Sequence, residues 1–216
     1  MTQQLKTNLL LTTFLATILI VNLAGAKTTT FWGQTFSVSL IVFPLISLIQ
    51  DVISEVFGRS KAREFLFLGI FANLIVSLFL LAATNFPPSA RYLADNAAYT
   101  TIFGQSIRII FASIAAFAIS EFADIFIFFK IKELTKGKFL WLRADISTII
   151  SSVLDSFLFM FLAFYMISPK YTAEFVIQIT LPYLGLKLLW TLFNTPLIYA
   201  GVKWLKSTKN EQEMTK

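Results

Sequence analysis

The chain contains no cysteine and no histidine in 216 residues. Without cysteine there is no disulfide, no thiol nucleophile and no thiolate metal site. Without histidine the usual zinc and copper ligand is gone, and so is the usual proton carrier near neutral pH. Proton chemistry, if any, falls to carboxylates, tyrosine or lysine. Charge is scarce as well. Only 14% of residues are charged, too few to coat a water-soluble globule. The 8 glycines form neither a G-x-x-x-x-G-K-[ST] nor a G-x-G-x-x-G pattern, which excludes ATP hydrolysis through a P-loop and a dinucleotide fingerprint. No repeated filter-like loop is present, which argues against a channel. Nothing implies a cofactor or a metal.

What is present is hydrocarbon. Hydrophobic residues make up 56% of the chain, 24 of them phenylalanine, and the mean hydropathy is +0.74. Soluble domains lie nearer 45–50% apolar. The composition therefore specifies an all-α multi-pass membrane protein with almost no soluble part, since lipid leaves a spanning backbone only its own helical partners.

A span needs about 20 apolar residues. Residues 1–206 are expected to form one six-helix transmembrane domain, with spans near 7–26, 36–57, 65–84, 106–129, 144–167 and 178–202. Residues 207–216 are polar and read as a disordered cytoplasmic tail. Ala24-Gly25-Ala26 resembles a signal-peptidase site, but the apolar stretch before it exceeds the 7–15 residues usual for a signal core, so it is read as a span. The loop from Asn85 to Gln105 is the longest outer segment. Pro87-Pro88 ends span three, and Ser89 is placed to cap a short helix carrying Arg91 and Tyr92, either an interfacial lid or a plain connector.

Basic residues set the orientation. Lys6, Arg59, Lys61, Arg63, Lys130, Lys132, Lys136, Lys138, Arg143, Lys203, Lys206, Lys209 and Lys216 fall on one side, against Lys27, Arg91 and Lys170 on the other. The positive-inside rule makes both termini cytoplasmic. The net charge of +6 thus belongs to membrane edges and does not indicate nucleic acid. Trp32, Trp141 and Trp204 fall at the expected interfaces. Three spans plus three would run in opposite directions, the arrangement of inverted-repeat transporters.

The informative residues interrupt the apolar runs. A charge at the bilayer centre costs about 2.5–3.5 kcal/mol on insertion scales, yet Asp51, Asp124, Asp155 and Lys187 are all retained. Counted along the helices at 1.5 Å per residue, Asp51 and Asp124 lie about 9–10 Å from the cytoplasmic edge. Asp155 lies about 18 Å deep and Lys187 about 24 Å. The last two are offset by about one helical turn, and an Asp155–Lys187 ion pair, direct or bridged by substrate, is expected because isolated buried charges are far more expensive than paired ones. Ser147, Ser151 and Asp155 share one face of span five; Lys187, Thr191, Asn194 and Thr195 mark a face of span six. Asn22 and Asn73 add amides, and Glu121 stands three residues before Asp124. Hydroxyls and amides also serve as glue between helices; charged groups mark a site. Ala112, Ala116 and Ser120 form a small-residue stripe suited to close packing, or to docking a partner. Pro196 is placed to kink span six. Paired aspartates invite comparison with an intramembrane protease, but neither a Tyr-Asp nor a Gly-x-Gly-Asp context is present.

These polar residues, taken in order, resemble the queuosine precursor transporter family, also called the vitamin uptake transporter family. The carriers are Phe43-Pro44, Asp51, Gly58, Ala62-Arg63, Arg108, Asp124-Ile125-Phe126-Ile127-Phe128, Trp141-Leu142-Arg143, Ser147-Thr148, Asp155-Ser156, Phe161-Leu162-Ala163-Phe164, Lys187 and Pro196. The resemblance implies a transporter, not an enzyme, importing a 7-deazapurine base (7-cyano-7-deazaguanine, 7-aminomethyl-7-deazaguanine or queuine) across the bacterial inner membrane for tRNA modification. A guanine-like edge presents an N–H beside an amino group, which a carboxylate accepts in bidentate fashion. Asp51, Asp124 and Asp155 are the candidate acceptors. Lys187, Asn22 and Asn194 are candidates for the carbonyl or nitrile side. Asp155, Lys187 and Glu121 are candidates for proton coupling or an ion pair. A stand-alone carrier, a substrate-binding subunit with a partner ATPase, a homo-oligomer and a non-transport scaffold remain open on the sequence.

Overall fold

The computed structural model describes residues 1–24, 27–31, 34–103, 107–166, 169 and 172–214. Trp32, Gly25 and Ala26 of the peptidase-like site, Gln105, Ser106 and Ile167 at expected boundaries, and Lys170 and Lys216 lie outside the described residues.

The described chain is almost entirely helical. Long apolar runs without internal proline give α1 (Gln3–Ala24) and α3 (Arg59–Asn85), and then, beyond the longest loop, α5 (Ile107–Leu134) and α6 (Leu140–Phe164). Between Asn85 and α5 stands α4 (Leu93–Phe103). It begins just after the segment expected to carry Arg91 and Tyr92, buries no residue, and carries a ladder of rings in which Tyr99 packs on both Tyr92 and Phe103. Among the described residues four helices are long and apolar enough to cross a membrane, or five if a bent pair in the last helix counts as one span. The protein is a multi-pass helical membrane protein. Lipid-facing stripes are plain: Phe67, Phe71, Ile75 and Phe79 recur every four residues along α3 and are all exposed.

The second expected span, 36–57, is not a single α-helix. Threonine-rich β-branched sequence forms a hairpin of β1 (Thr28–Phe31) and β2 (Gln34–Ser37), antiparallel with Thr29 opposite Phe36. A 3-10 turn over Val38–Ile41 follows, then α2 (Pro44–Phe57), only 14 residues long. Pro44 has no N–H to continue a ladder from the preceding turn, so it sits where a helix begins. Fourteen residues rise about 21 Å, short of a bilayer core of about 30 Å. Backbone bonds from Val42 and Phe43 back to the Ser39 carbonyl carry the chain from the 3-10 turn into α2, and turn plus helix together approach the missing length.

The last helix also departs from expectation. α7 runs from Ala173 to Met214, well past 202. The polar tail continues the helix because Lys206, Lys209, Gln212, Glu213 and Met214 are all good helix formers. α7 bends by 41° between Thr191 and Phe193. Pro196 lacks the N–H that would bond the carbonyl four residues earlier, at Leu192, and the bend lies there.

The core gathers Phe14 and Ile18 of α1, Ile46, Ile49, Val52 and Ile53 of α2, Ala62, Phe65 and Leu66 of α3, and Ile198, Val202 and Leu205 of α7. α5 and α6 make the most extensive contact, with α2 wedged beside α7. The small stripe Ala112, Ala116 and Ser120 is buried inside the chain. At the α2–α3 junction Gly58 adopts φ +83 and ψ −176, a region only glycine enters without strain.

Candidate site at two facing helix breaks

Two irregularities meet in the interior. The Asn194 side chain, two residues past the α7 bend, donates its Nδ2–H to the Pro44 carbonyl at 3.0 Å, at the start of α2. The same amide reaches Ser47 Oγ at 3.5 Å. Broken helices near the membrane midplane free backbone and polar groups to face a cavity, and they recur at transporter substrate sites.

Beside this junction Lys187 Nζ donates to Asp155 Oδ2 at 2.6 Å. The two side chains are 2% and 17% exposed, so the pair is nearly dry and its attraction is little screened. Lys187 Nζ also lies 3.9 Å from the centroid of the Phe43 ring and 5.0 Å from that of Tyr183, where the ring faces attract a cation. Ser120 of α5 donates to Asp155 Oδ1 at 3.4 Å. Phe43, Pro44, Ser47, Thr148, Ser152, Lys187, Trp190, Thr191 and Asn194 line one narrow cleft. It holds little more than one water molecule's worth of room, so a bound heterocycle requires α2 and α7 to part.

Behind the Thr148 wall lies a group of acids. Asp51, Glu121 and Asp124 are 1%, 7% and 3% exposed. Asp51 faces Asp124 and Glu121 of α5 and Asp145 of α6. Asp124 accepts from Ser151 Oγ at 3.0 Å, while the Ser147 hydroxyl donates to the Ala144 carbonyl at 3.2 Å; the Thr148 hydroxyl stands near Asp51 and Asp124. No basic side chain forms an ion pair with these three acids among the described residues. Burying an ionised carboxylate costs several kcal/mol, so three ionised carboxylates in this interior are strongly unfavourable without a compensating donor.

The foot of α2 carries a feature that sequence reading did not find. Glu55 Oε2 accepts from Arg143 at 2.5 Å and from Lys132 at 2.8 Å. Arg143, taken from sequence as a loop cation, is 1% exposed and also donates to the Gly137 and Lys138 carbonyls at 3.0 Å each. It staples the α5–α6 turn to the end of α2. Asp145, likewise unread, accepts from Thr195 at 2.6 Å.

The structure thus brings Lys187 and Asn194 to one cleft, ties Asp155 to it through Lys187, and buries Asp51, Glu121 and Asp124 outside its lining. Asn22 goes elsewhere. It donates to Asn73 Oδ1 at 2.8 Å and accepts from Ser113 at 3.2 Å, in a second cleft closed by Ile102 and Phe103. Ser113 lies seven residues, about 10 Å, outward of Ser120 on α5.

The broken second segment, the polar bend of α7 and the charged residues between them all fall within residues 37–201, and those residues match the family model described as putative vitamin uptake transporter. The chain belongs to this family. Three curated relatives agree. A protein of Bacillus subtilis named "Probable queuosine precursor transporter" is 28% identical over 185 residues, covering 85% of this chain and 79% of its own length. One of Haemophilus influenzae with the same name is 29% identical over 143 residues, covering 66% and 55%. The Escherichia coli "Queuosine precursor transporter" is 28% identical over 161 residues, covering 74% and 66%. No solved structure matches the chain.

Proposed function

We propose that this protein imports queuosine precursors, that is, 7-cyano-7-deazaguanine, 7-aminomethyl-7-deazaguanine or queuine, across the bacterial inner membrane for tRNA modification. The observation that carries the reading is the Asp155–Lys187 pair at the junction of two helix breaks. A planar base with donors on one edge and acceptors on the other fits between such partners. On entry the base bridges the pair: Lys187 turns its N–H to the carbonyl or nitrile, and Asp155 accepts from the ring N–H and amino group. Asn194 and the Thr148, Ser152 and Thr191 hydroxyls supply further contacts, and Phe43 and Trp190 supply ring faces for stacking.

In this reading the chain crosses the membrane six times, through α1, the 3-10 turn with α2, α3, α5, α6 and α7, as two inverted halves with both termini in the cytoplasm. The small-residue stripe of α5 is already buried within the chain, which favours a stand-alone carrier over a subunit that docks an ATPase through that face.

The test is uptake in a host unable to make queuosine precursors. Expression of this chain restores queuosine in tRNA when a precursor is supplied, and excess unlabelled precursor blocks uptake of label. Equal competition by guanine overturns the selectivity for the 7-substituent, and absence of uptake overturns the reading.

A further inference from the structure

We propose that Asp51, Glu121 and Asp124 form a proton-carrying site, distinct from the base cleft, that couples import to the proton gradient. The inference rests on the reading above that the protein moves a 7-deazapurine. All three side chains are more than nine-tenths buried. Asp51 Oδ1 and Glu121 Oε2 have no hydrogen-bond donor at all, although a buried acceptor of this kind nearly always finds one. These two orphan oxygens belong to acids near enough to repel each other, and a hydrogen held on either acid removes one of the opposed charges.

The surroundings do not supply another remedy. From α5 and α6 the groups facing Asp51 are Asp124, Glu121 and Asp145, all acidic. Glu121 faces Asp124 on its own helix, Asp155 on α6 and Lys187 on α7. Lys187 is the one cation among these groups, and it is committed to Asp155 at 2.6 Å. α1 and α3 bring no charge to face the three acids. No set of three acidic side chains among the described residues is close enough to hold a metal ion. Hydrogen is the compensating species that this geometry suits.

The site is also placed to communicate. Thr148 stands beside Asp51 and Asp124 and also lines the base cleft. Asp51 rides on α2, whose first residue, Pro44, borders the same cleft. Parting α2 from α7 to admit a base therefore shifts Asp51 relative to Glu121 and Asp124. One proton enters with the base, travels as the neutral carboxyl, and leaves from the same oxygen on the cytoplasmic side.

The experiment uses the full chain, purified and reconstituted in liposomes, with labelled 7-cyano-7-deazaguanine. Two readouts are taken: base-for-base exchange without a gradient, and accumulation under an acid-outside pH gradient with a trapped pH dye reporting proton entry. The unmodified protein is expected to do both, concentrating the base up to about tenfold per pH unit for one proton carried. Glu121→Gln and Asp51→Asn are expected to exchange base while losing accumulation and the dye signal. Exchange by the unmodified protein with neither accumulation nor proton entry overturns the proposal but leaves the transport reading standing. Accumulation by both variants at the unmodified level overturns it too. Loss of exchange in both variants overturns the separation of the two sites. If the unmodified protein exchanges no base, the transport reading fails along with this one.

Discussion

Lys187→Met should be among the most damaging substitutions in this protein, and the structure sets its size. The Lys187 side chain is 2% exposed and its ammonium lies 2.6 Å from Asp155. Removing it leaves a fourth uncompensated acid beside Asp51, Glu121 and Asp124. Breaking a buried pair from one side costs about 3–5 kcal/mol. At about 2–4 °C per kcal/mol for a chain of this size, the melting temperature in detergent falls by about 6–20 °C. Asp155→Asn should cost less, about 1.5–3 kcal/mol, the worth of a charge-assisted hydrogen bond. Lys187 then keeps the ring faces of Phe43 and Tyr183, and it still faces Glu121. The double variant removes both charges together and should melt above Lys187→Met alone, a coupling of about 2 kcal/mol or more. Thermal unfolding of the four proteins, followed by size-exclusion of a fluorescent fusion, measures this directly. Losses that simply add refute the pair as an energetic unit.

Three further outcomes follow from the same geometry. Gly201→Ala places a methyl 2.8 Å from Val52 Cγ2, pushing α7 from α2 at about 1–3 kcal/mol, and Val52→Ala in the same chain should restore the melting temperature. Glu55→Gln strands the buried Arg143 and should destabilise by about 3 kcal/mol or more. Lys132→Met, removing the half-exposed partner of Glu55, should cost under about 1 kcal/mol, and equal losses in thermal scans would contradict the difference in burial. Asn194→Ala removes the bond to the Pro44 carbonyl, worth about 1 kcal/mol, and should raise the KM for base uptake about fivefold; an unchanged KM would remove Asn194 from the cleft.

Much of the architecture was written in the apolar runs. The spans around α1, α3, α5 and α6 need no tertiary information, because a bilayer demands about 20 apolar residues whatever their neighbours. The Asp155–Lys187 contact was legible for a related reason: counting rise along antiparallel helices places both at similar depth, and lipid punishes an unpaired charge. The break at Pro44 was harder. Apolar content continues through Val38 to Phe43, and hydropathy does not register a change from 3-10 to α geometry. Asn22 was misgrouped for want of azimuth: depth along a helix says nothing about which side of the bundle a side chain faces, and its partners proved to be Asn73 and Ser113. Arg143 was read as an interfacial charge because it sits near a span end. Only packing reveals that the guanidinium is enclosed and holds two carbonyls of the turn.

α2 is a stiff rod jointed at both ends, with proline at its head and a positive-φ glycine at its foot. A rod about 21 Å long that tilts by 10° about one joint swings its other end through nearly 4 Å. Phe43 adjoins the head of this rod and Glu55 lies near its foot, so a small rotation that moves the ring off Lys187 also shifts the carboxylate against Arg143. The head and the foot of this one helix therefore move together, and at Gly58 any side chain would strain the backbone that joins α2 to α3.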